Sequence, residues 1–221
     1  MTHLLAVDPE RPAVTVCDTA VAVLRRGGVV AYPTDTVYGL AVDALRPEAI
    51  TRLYAVKGRP ESKPIPVIIG ALEQLTLVAA TVPATAARLI EVFWPGPLTL
   101  LLPPHRCIPP ALLGESDRIG VRWPASTISQ QLALGLGGAI TASSANRSGA
   151  PAALTAAEVM AQLAPAVDLV LDAGAVTSPV VSTILDVTVE PPCLYRPGKI
   201  AQQAIEAVLG CRLTQKNVDT S

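Results

Sequence analysis

The chain has 221 residues, half of them hydrophobic but only 3% aromatic, which is enough aliphatic material for one large domain with its own core. With 17 Lys and Arg against 18 Asp and Glu, its net charge of −1 argues against a globally basic nucleic-acid binder. Four scattered Cys without a CxxC pair and only two His make no zinc or iron–sulfur spacing, and no apolar run reaches the length of a bilayer span.

The amino-terminal MTHLLAVDPERP lacks a basic segment followed by a long apolar stretch, so no signal peptide is read there. Scattered thiols fit a reducing compartment, and the expected location is the cytoplasm. A helix is predicted over 15–26, stopped by Gly27, and GVVAY at 28–32 reads as a strand. Pro47 opens a helix over 47–56, and Pro83 is suited to the first turn of another. PIPVII (64–69), PLTLLL (97–102), RIGVR (118–122) and GAITA (138–142) are short β-rich runs bounded by Gly, Pro or polar residues. Thr155-Ala156-Ala157-Glu158 is a capping box for a helix through Leu163. DLVLD (168–172) and STILDV (182–187) read as strands. Residues 199–209 place Ile200, Ala204, Ile205 and Val208 on one helical face and stop at Gly210. Strand-like runs come in adjacent pairs, which predicts a single α/β domain with a mixed sheet and flanking helices. The domain is expected over 1–212, with a frayed polar tail over 213–221.

Four polar stretches interrupt this apolar pattern. Tyr32-Pro33-Thr34-Asp35-Thr36 puts hydroxyls and a carboxylate straight after a strand, where α/β folds commonly carry their sites, although an ordinary Pro-Thr-Asp turn has the same composition. Lys57-Gly58-Arg59, with Lys63 close behind, would alone read as solvated surface. Pro60, Pro64 and Pro66 stiffen that stretch and lower the entropy cost of presenting cations to a ligand. Arg118 and Arg122 share a strand face with Gly120 by the period of two. Arg122, between Val121 and Trp123, needs a carboxylate partner, and either a structural Asp or Glu or a ligand meets that need. Thr141 to Gly149 is rich in hydroxyls and poor in bulk, the makings of an anion-binding nest, but it is no Walker loop and no GxSxG elbow. No nucleophile or general base stands out, so catalysis by positioning and charge stabilisation is expected.

Taken in order, PTDTVYGL, KGRP followed by KP, FWPGPLTLLL, IGVRWP, SSANRSGAP and STILDV resemble the YrdC-like threonylcarbamoyl-AMP synthases from about Val14 to about Gly210. Lys57, Arg59, Ser144 and Asn146 meet that family's KxR…SxN signature. The resemblance implies a twisted mixed sheet around a concave cavity. The implied reaction joins L-threonine, bicarbonate and ATP into L-threonylcarbamoyladenylate, with release of pyrophosphate and with Mg2+ accompanying the ATP. It also implies a separate transferase that passes the product to tRNA beside the anticodon, with only weak direct tRNA contact and no membrane. By the same resemblance Lys57, Arg59, Ser144 and Asn146 are the catalytic set. Lys57, Arg59, Lys63, Arg118, Ser144, Asn146 and Arg196 are expected on the ATP side. Thr36, Arg122, Ala142 and Ser182 are expected on the threonine side, with Arg122 on the α-carboxylate. The chain departs from the pattern at Ile68, where some relatives carry His, and at Ala152, where they carry a hydroxyl. It resembles the short form without an added carboxy-terminal domain.

Two other readings compete. An RNA-binding module is disfavoured by the charge balance and by the scarcity of stacking aromatics. A carbamoyl-adenylate domain of a hydrogenase-maturation protein is disfavoured because acylphosphatase-like and cysteine-rich segments are missing from this sequence.

Overall fold

Twelve short strands among the described residues divide into two sheets. The computed structural model describes residues 1–176 and 180–216. In chain order the strands are β1 His3–Ala6, β2 Val30–Pro33, β3 Tyr38–Ala41, β4 Val67–Ile68, β5 Leu98–Leu102, β6 Ile119–Arg122, β7 Ile140–Thr141, β8 Ser143–Ser144, β9 Leu169–Asp172, β10 Thr183–Asp186, β11 Cys193–Arg196 and β12 Thr214–Gln215. One sheet runs β1-β9-β2-β3-β8 and the other β12-β11-β10-β5-β6-β4-β7, each mixing parallel and antiparallel pairs. The helices are α1 Val14–Arg25, α2 Pro47–Lys57, α3 Leu75–Val78, α4 Ala84–Phe93, α5 Pro110–Leu113, α6 Thr127–Leu136, α7 Ala156–Leu163 and α8 Gln202–Leu209. Among the described residues, no helix is long and apolar enough to cross a membrane.

Strand alternation sorts the side chains. In β5, Leu98, Leu100 and Leu102 enter the main core while Thr99 and Leu101 face a cavity, and in β6 Ile119 and Val121 enter the core while Gly120 faces the cavity. In the other sheet Ala31 and Val170 join the main core, whereas Val30, Tyr32, Leu169 and Leu171 join a second cluster with α1 and α6. Sheets covered on both faces explain why runs such as VVAY carry no hydrophilic alternation. Ile68 is 2% exposed in that second cluster, packed as an ordinary core aliphatic.

The predicted elements form with shifts that have local causes. The Thr155 hydroxyl accepts from Glu158 N at 3.2 Å, the expected cap at the start of α7, while the Glu158 carboxylate reaches one residue beyond it and accepts from Leu154 N at 2.6 Å. Pro83 acts as the residue capping α4 (φ −57°, ψ 151°), one position earlier than its expected place in the first turn. The last helix begins at Gln202, not 199, because Lys199 N donates to Val181 O just before β10 and Ile200 N to the Thr183 hydroxyl at its start. Five strands were not foreseen, β8 and β12 among them. β1 gains its place by pairing with β9, β3 lies hidden in the PTDTVYGL motif, and β11 occupies Leu194-Tyr195-Arg196, which reads locally as a turn.

The expected tail starts later than Leu213. Leu213 is buried and its N–H donates to the Glu206 carboxylate at 2.9 Å, after which Thr214 and Gln215 pair with Cys193 and Leu194. An apolar anchor and an open sheet edge thus extend the structure through Lys216. Residues 217–221 of the predicted tail lie outside the described residues.

Candidate active site

A cavity of about 620 Å³ opens on the face of the second sheet, within the size range of small-molecule sites. Its floor is Thr99, Leu101, Gly120 and Ile184. Its walls come from Arg59, from Ser62 and Pro64–Pro66, from Glu115–Arg118, from Ala142–Ser144, and from Tyr195, Arg196 and Lys216. Of the residues expected in the site, Arg59, Arg118, Ala142, Ser144 and Arg196 line it directly.

The Lys-Gly-Arg step is where local conformation decides which cation faces the cavity. Gly58 caps α2 in the left-handed region (φ 58°), a conformation that side-chain-bearing residues disfavour. Lys57, the last helical residue, therefore points inward and is 2% exposed, whereas Arg59 emerges on the cavity wall. The Lys57 ammonium donates to Ser144 O at 2.5 Å, Asn146 O at 2.9 Å and Asn146 Oδ1 at 3.3 Å. These three acceptors match its three N–H donors. Burial, with a smaller contribution from the Arg59 charge, lowers Lys57 from the ordinary lysine value to about 8.

Asn146 is equally occupied. Its Oδ1 accepts from the Ser144 hydroxyl at 2.5 Å, and its Nδ2 donates to Arg147 O and Ala150 O at 2.9 and 2.6 Å. Lys57 and Asn146, both expected on the ATP side, thus spend these polar groups on the loop in this arrangement. Both are buried inside the loop they organise, and their polar groups are consumed by it. Lys63 is also displaced from the wall: its side chain is exposed, and its carbonyl accepts from the Tyr54 hydroxyl at 2.8 Å.

The arginines differ in their partners. Among the described residues Arg59 donates only to the carbonyls of Lys63 and Pro64. Arg118 uses Nε on the Thr188 hydroxyl at 2.6 Å and lies 3.3 Å from the buried Asp186 carboxylate. Arg196 donates to the Ser182 carbonyl at 2.8 Å and hydroxyl at 3.1 Å. Burial, and secondarily the Arg122 charge, lower its proton affinity. Gly198 permits this approach, since a Cβ there would stand 2.4 Å from Thr183 N. Arg122 is 6% exposed, donating Nε to Gly96 O at 3.0 Å and Nη2 to both Asp35 oxygens at 2.6 Å.

Ser182 and Thr36 are buried and do not line the cavity, whereas Ala142 does. The Ser182 hydroxyl is 3.0 Å from that of Thr99, which faces the cavity. Thr36 is buried, with its hydroxyl 3.0 Å from Thr34 Oγ1 in the loop that carries Asp35. Ala142 N donates to Pro66 O at 2.7 Å, so its carbonyl is the group left to offer. Ala152 is half-buried and brings no side-chain polar atom. Sequence reasoning missed Thr99 on the floor, Tyr195 and Lys216 on the wall, and Asp186 as partner of Arg118. A lone Thr among leucines and a lone Asp ending a β-rich run were the available signals.

Comparison with known proteins adds an independent line. The family model named for Sua5, YciO and YrdC, described as telomere recombination, matches residues 22–198. The threonylcarbamoyl-AMP synthase of Pyrococcus abyssi is 39% identical over 191 residues, covering 86% of this chain and 56% of that protein. That of Bacillus subtilis is 38% identical over 195 residues, again covering 86% of this chain and 56% of the relative. The chain thus spans little more than half the length of these two relatives. The crystal structure of P. abyssi Sua5 complexed with L-threonine is similar at TM-score 0.93 and 37% identity, covering 100% of this chain and 66% of that one.

Proposed function

The chain belongs to the Sua5/YciO/YrdC family, and from that premise we propose that it makes L-threonylcarbamoyladenylate from L-threonine, bicarbonate and ATP. The observation that carries this reading is the cavity wall itself. Arg59, Arg118 and Arg196 converge there with Ser143 and Ser144; Arg59 and Arg196 meet no carboxylate among the described residues, while Arg118 is paired with Asp186 and Asp117. Such a wall suits a polyphosphate, whose charge must be both balanced and oriented.

In this reading the carbamate formed from threonine and bicarbonate attacks the α-phosphorus of ATP. A bond from carboxylate oxygen to phosphorus forms, and the bond from phosphorus to the bridging oxygen breaks as pyrophosphate leaves. The arginines spread the charge that develops on the phosphate oxygens, and the cavity holds the reactants in line. Arg122, with Thr36, Ser182 and the Ala142 carbonyl, receives the amino acid. Ser144 meets the nucleotide from the loop. Lys57 and Asn146 contribute by fixing that loop's shape, and Lys63 adds a cation near the rim.

Among the described residues no group of three or more His, Cys, Asp or Glu is placed to hold a metal ion. Mg2+ commonly binds through phosphate oxygens, water and one or two carboxylates. Glu115, Ser116 and Asp117 on the wall are oxygen donors of that kind, so the wall fits Mg2+ carried in on the triphosphate. When bound, the ion supplies further neutralisation of the phosphates.

The product would pass to a separate transferase in the cytoplasm for tRNA modification. The test is pyrophosphate release from ATP with threonine and bicarbonate omitted in turn. Release is expected only with both present, and serine should be slower by no more than the ~1–3 kcal/mol that one methyl contact supplies. Equal release without any amino acid would overturn the assignment.

A further inference from the structure

We infer that Asp35 stands in for the substrate carboxylate, so that threonine binding exchanges one carboxylate for another on Arg122 and Asp35 sets the affinity. The inference rests on the reading that Arg122 receives the amino acid's α-carboxylate.

The argument starts from the shape of a guanidinium. A carboxylate clamped by two parallel N–H bonds needs two nitrogens on one edge of the fork. Arg122 has two usable edges. The edge formed by Nε and Nη2 is taken, with Nε donating to Gly96 O at 3.0 Å and Nη2 to Asp35. The other edge pairs Nη1, which has no hydrogen-bond partner among the described residues, with the same Nη2 that holds both Asp35 oxygens. Neither edge is open to a second carboxylate until Asp35 lets go.

Retaining both carboxylates is unfavourable in this place. The Arg122 side chain is 7% exposed, so a second anion there would meet Asp35 with little water to screen the repulsion. Asp35, by contrast, has the more exposed side chain, 20% against 7%.

Release need not disturb the loop. Its shape depends on Thr34, whose hydroxyl oxygen accepts from Thr36 N at 3.1 Å and Val37 N at 3.2 Å and donates to Val37 O at 2.6 Å. Thr34 N also donates to Val37 O at 3.2 Å. Apart from its ion pair with Arg122, Asp35 contributes no side-chain hydrogen bond to this turn among the described residues. Asp35 can therefore rotate off Arg122 while Thr36 keeps its position. In the free protein the pair keeps a buried arginine satisfied, and the cost of breaking it appears as weakened affinity.

The experiment is calorimetric binding to the full chain, wild type and Asp35→Asn, with L-threonine, L-threoninamide and ATP. If the paired state dominates the free protein by about ten to one, Asp35→Asn binds L-threonine roughly tenfold tighter. L-threoninamide, which lacks the carboxylate, and ATP should bind both proteins alike. Asp35→Glu, which keeps the charge, should show no gain, and Asp35→Ser supplies the same test should the Asn variant not fold. Unchanged or weaker L-threonine binding by the charge-removing variants overturns the inference, as does an equal gain with L-threoninamide. Loss of a merely structural residue would not tighten one ligand selectively. A wild-type chain that binds no L-threonine overturns the functional reading itself, a separate result from wild-type binding without a gain in the variant.

Discussion

Arg122 and the three arginines of the cavity wall are held under opposite conditions. Arg122 is buried and bonded to a carboxylate of its own chain, with its Nε committed to a carbonyl. Arg59 and Arg196 donate to carbonyls and a hydroxyl but touch no carboxylate among the described residues, and Arg118 shares its charge with Asp186 and Asp117 through Nε alone. A small amino acid can be bound by exchange, because one carboxylate replaces another. A triphosphate brings several negative charges at once, and cations without a protein carboxylate, as Arg59 and Arg196 are among the described residues, are suited to receive it. The contrast predicts that one side of the site governs stability and threonine, and the other governs nucleotide and salt response.

The largest effect should come from Arg122→Ala, which leaves the Asp35 carboxylate unpaired in a low-water setting. Stability should fall by about 3–5 kcal/mol in urea unfolding, toward the lower figure because Asp35 is partly exposed. Threonine binding should vanish while ATP binding persists in the folded fraction. Loss of both ligands to the same degree would erase the proposed division of the site.

Lys57→Met should come next. It leaves three acceptors of the Ser144–Asn146 loop without their donor, at about 1–3 kcal/mol of stability. If Lys57 works through the loop, turnover should fall further than ATP affinity. A loss confined to ATP affinity would instead mean direct contact with the phosphates.

The same residue predicts a pH dependence. Below about pH 8 Lys57 is an ammonium with three donors, and above it a neutral amine with two, so turnover should decline as pH rises through about 8. The sign for stability is opposite. With the folded value near 8 and the ordinary value 10.5, the unfolded chain binds more protons between these limits, and the contribution of Lys57 to stability rises with pH there. Turnover falling without a parallel drop in thermal midpoint is the expected pattern, and in Lys57→Met that decline should be absent.

Arg59→Ala should have the smallest effect on the protein and a selective one on its ligand. Among the described residues its donors serve only backbone carbonyls at a partly exposed site, so stability should change by no more than ~0.5 kcal/mol. ATP should bind about tenfold more weakly, roughly 1.4 kcal/mol, with a shallower salt dependence and unchanged threonine affinity.

Much of this site was legible before the structure. The motifs supplied Arg59, Arg118, Ser144 and Arg196 on the wall, and the period of two correctly put Arg118 and Gly120 on one face. Lys57 was legible as important but not in its direction, because a helix-capping glycine reverses the chain between it and Arg59. Asp35 was visible as a carboxylate in a turn, yet its partner is 87 residues away, and no local pattern links the two. β12 and β1 were missed because two-to-four-residue edge strands have little propensity of their own and exist through the neighbour they pair with.

The sequence by itself determined what depends on near neighbours: where helices are capped, which strand positions are apolar, and which polar stretches interrupt them. Proline, glycine and short polar side chains act over a few residues, so their effects can be read in order along the chain. Only the tertiary structure decided which cations are spent inside the protein and which remain for a ligand. Lys57 goes to its loop, Arg122 to Asp35, and Arg59 to the open wall. Charge pairing acts through space between segments brought together by the packing of apolar sheet faces. The partner of a cation is therefore a property of the fold and not of its position in the chain.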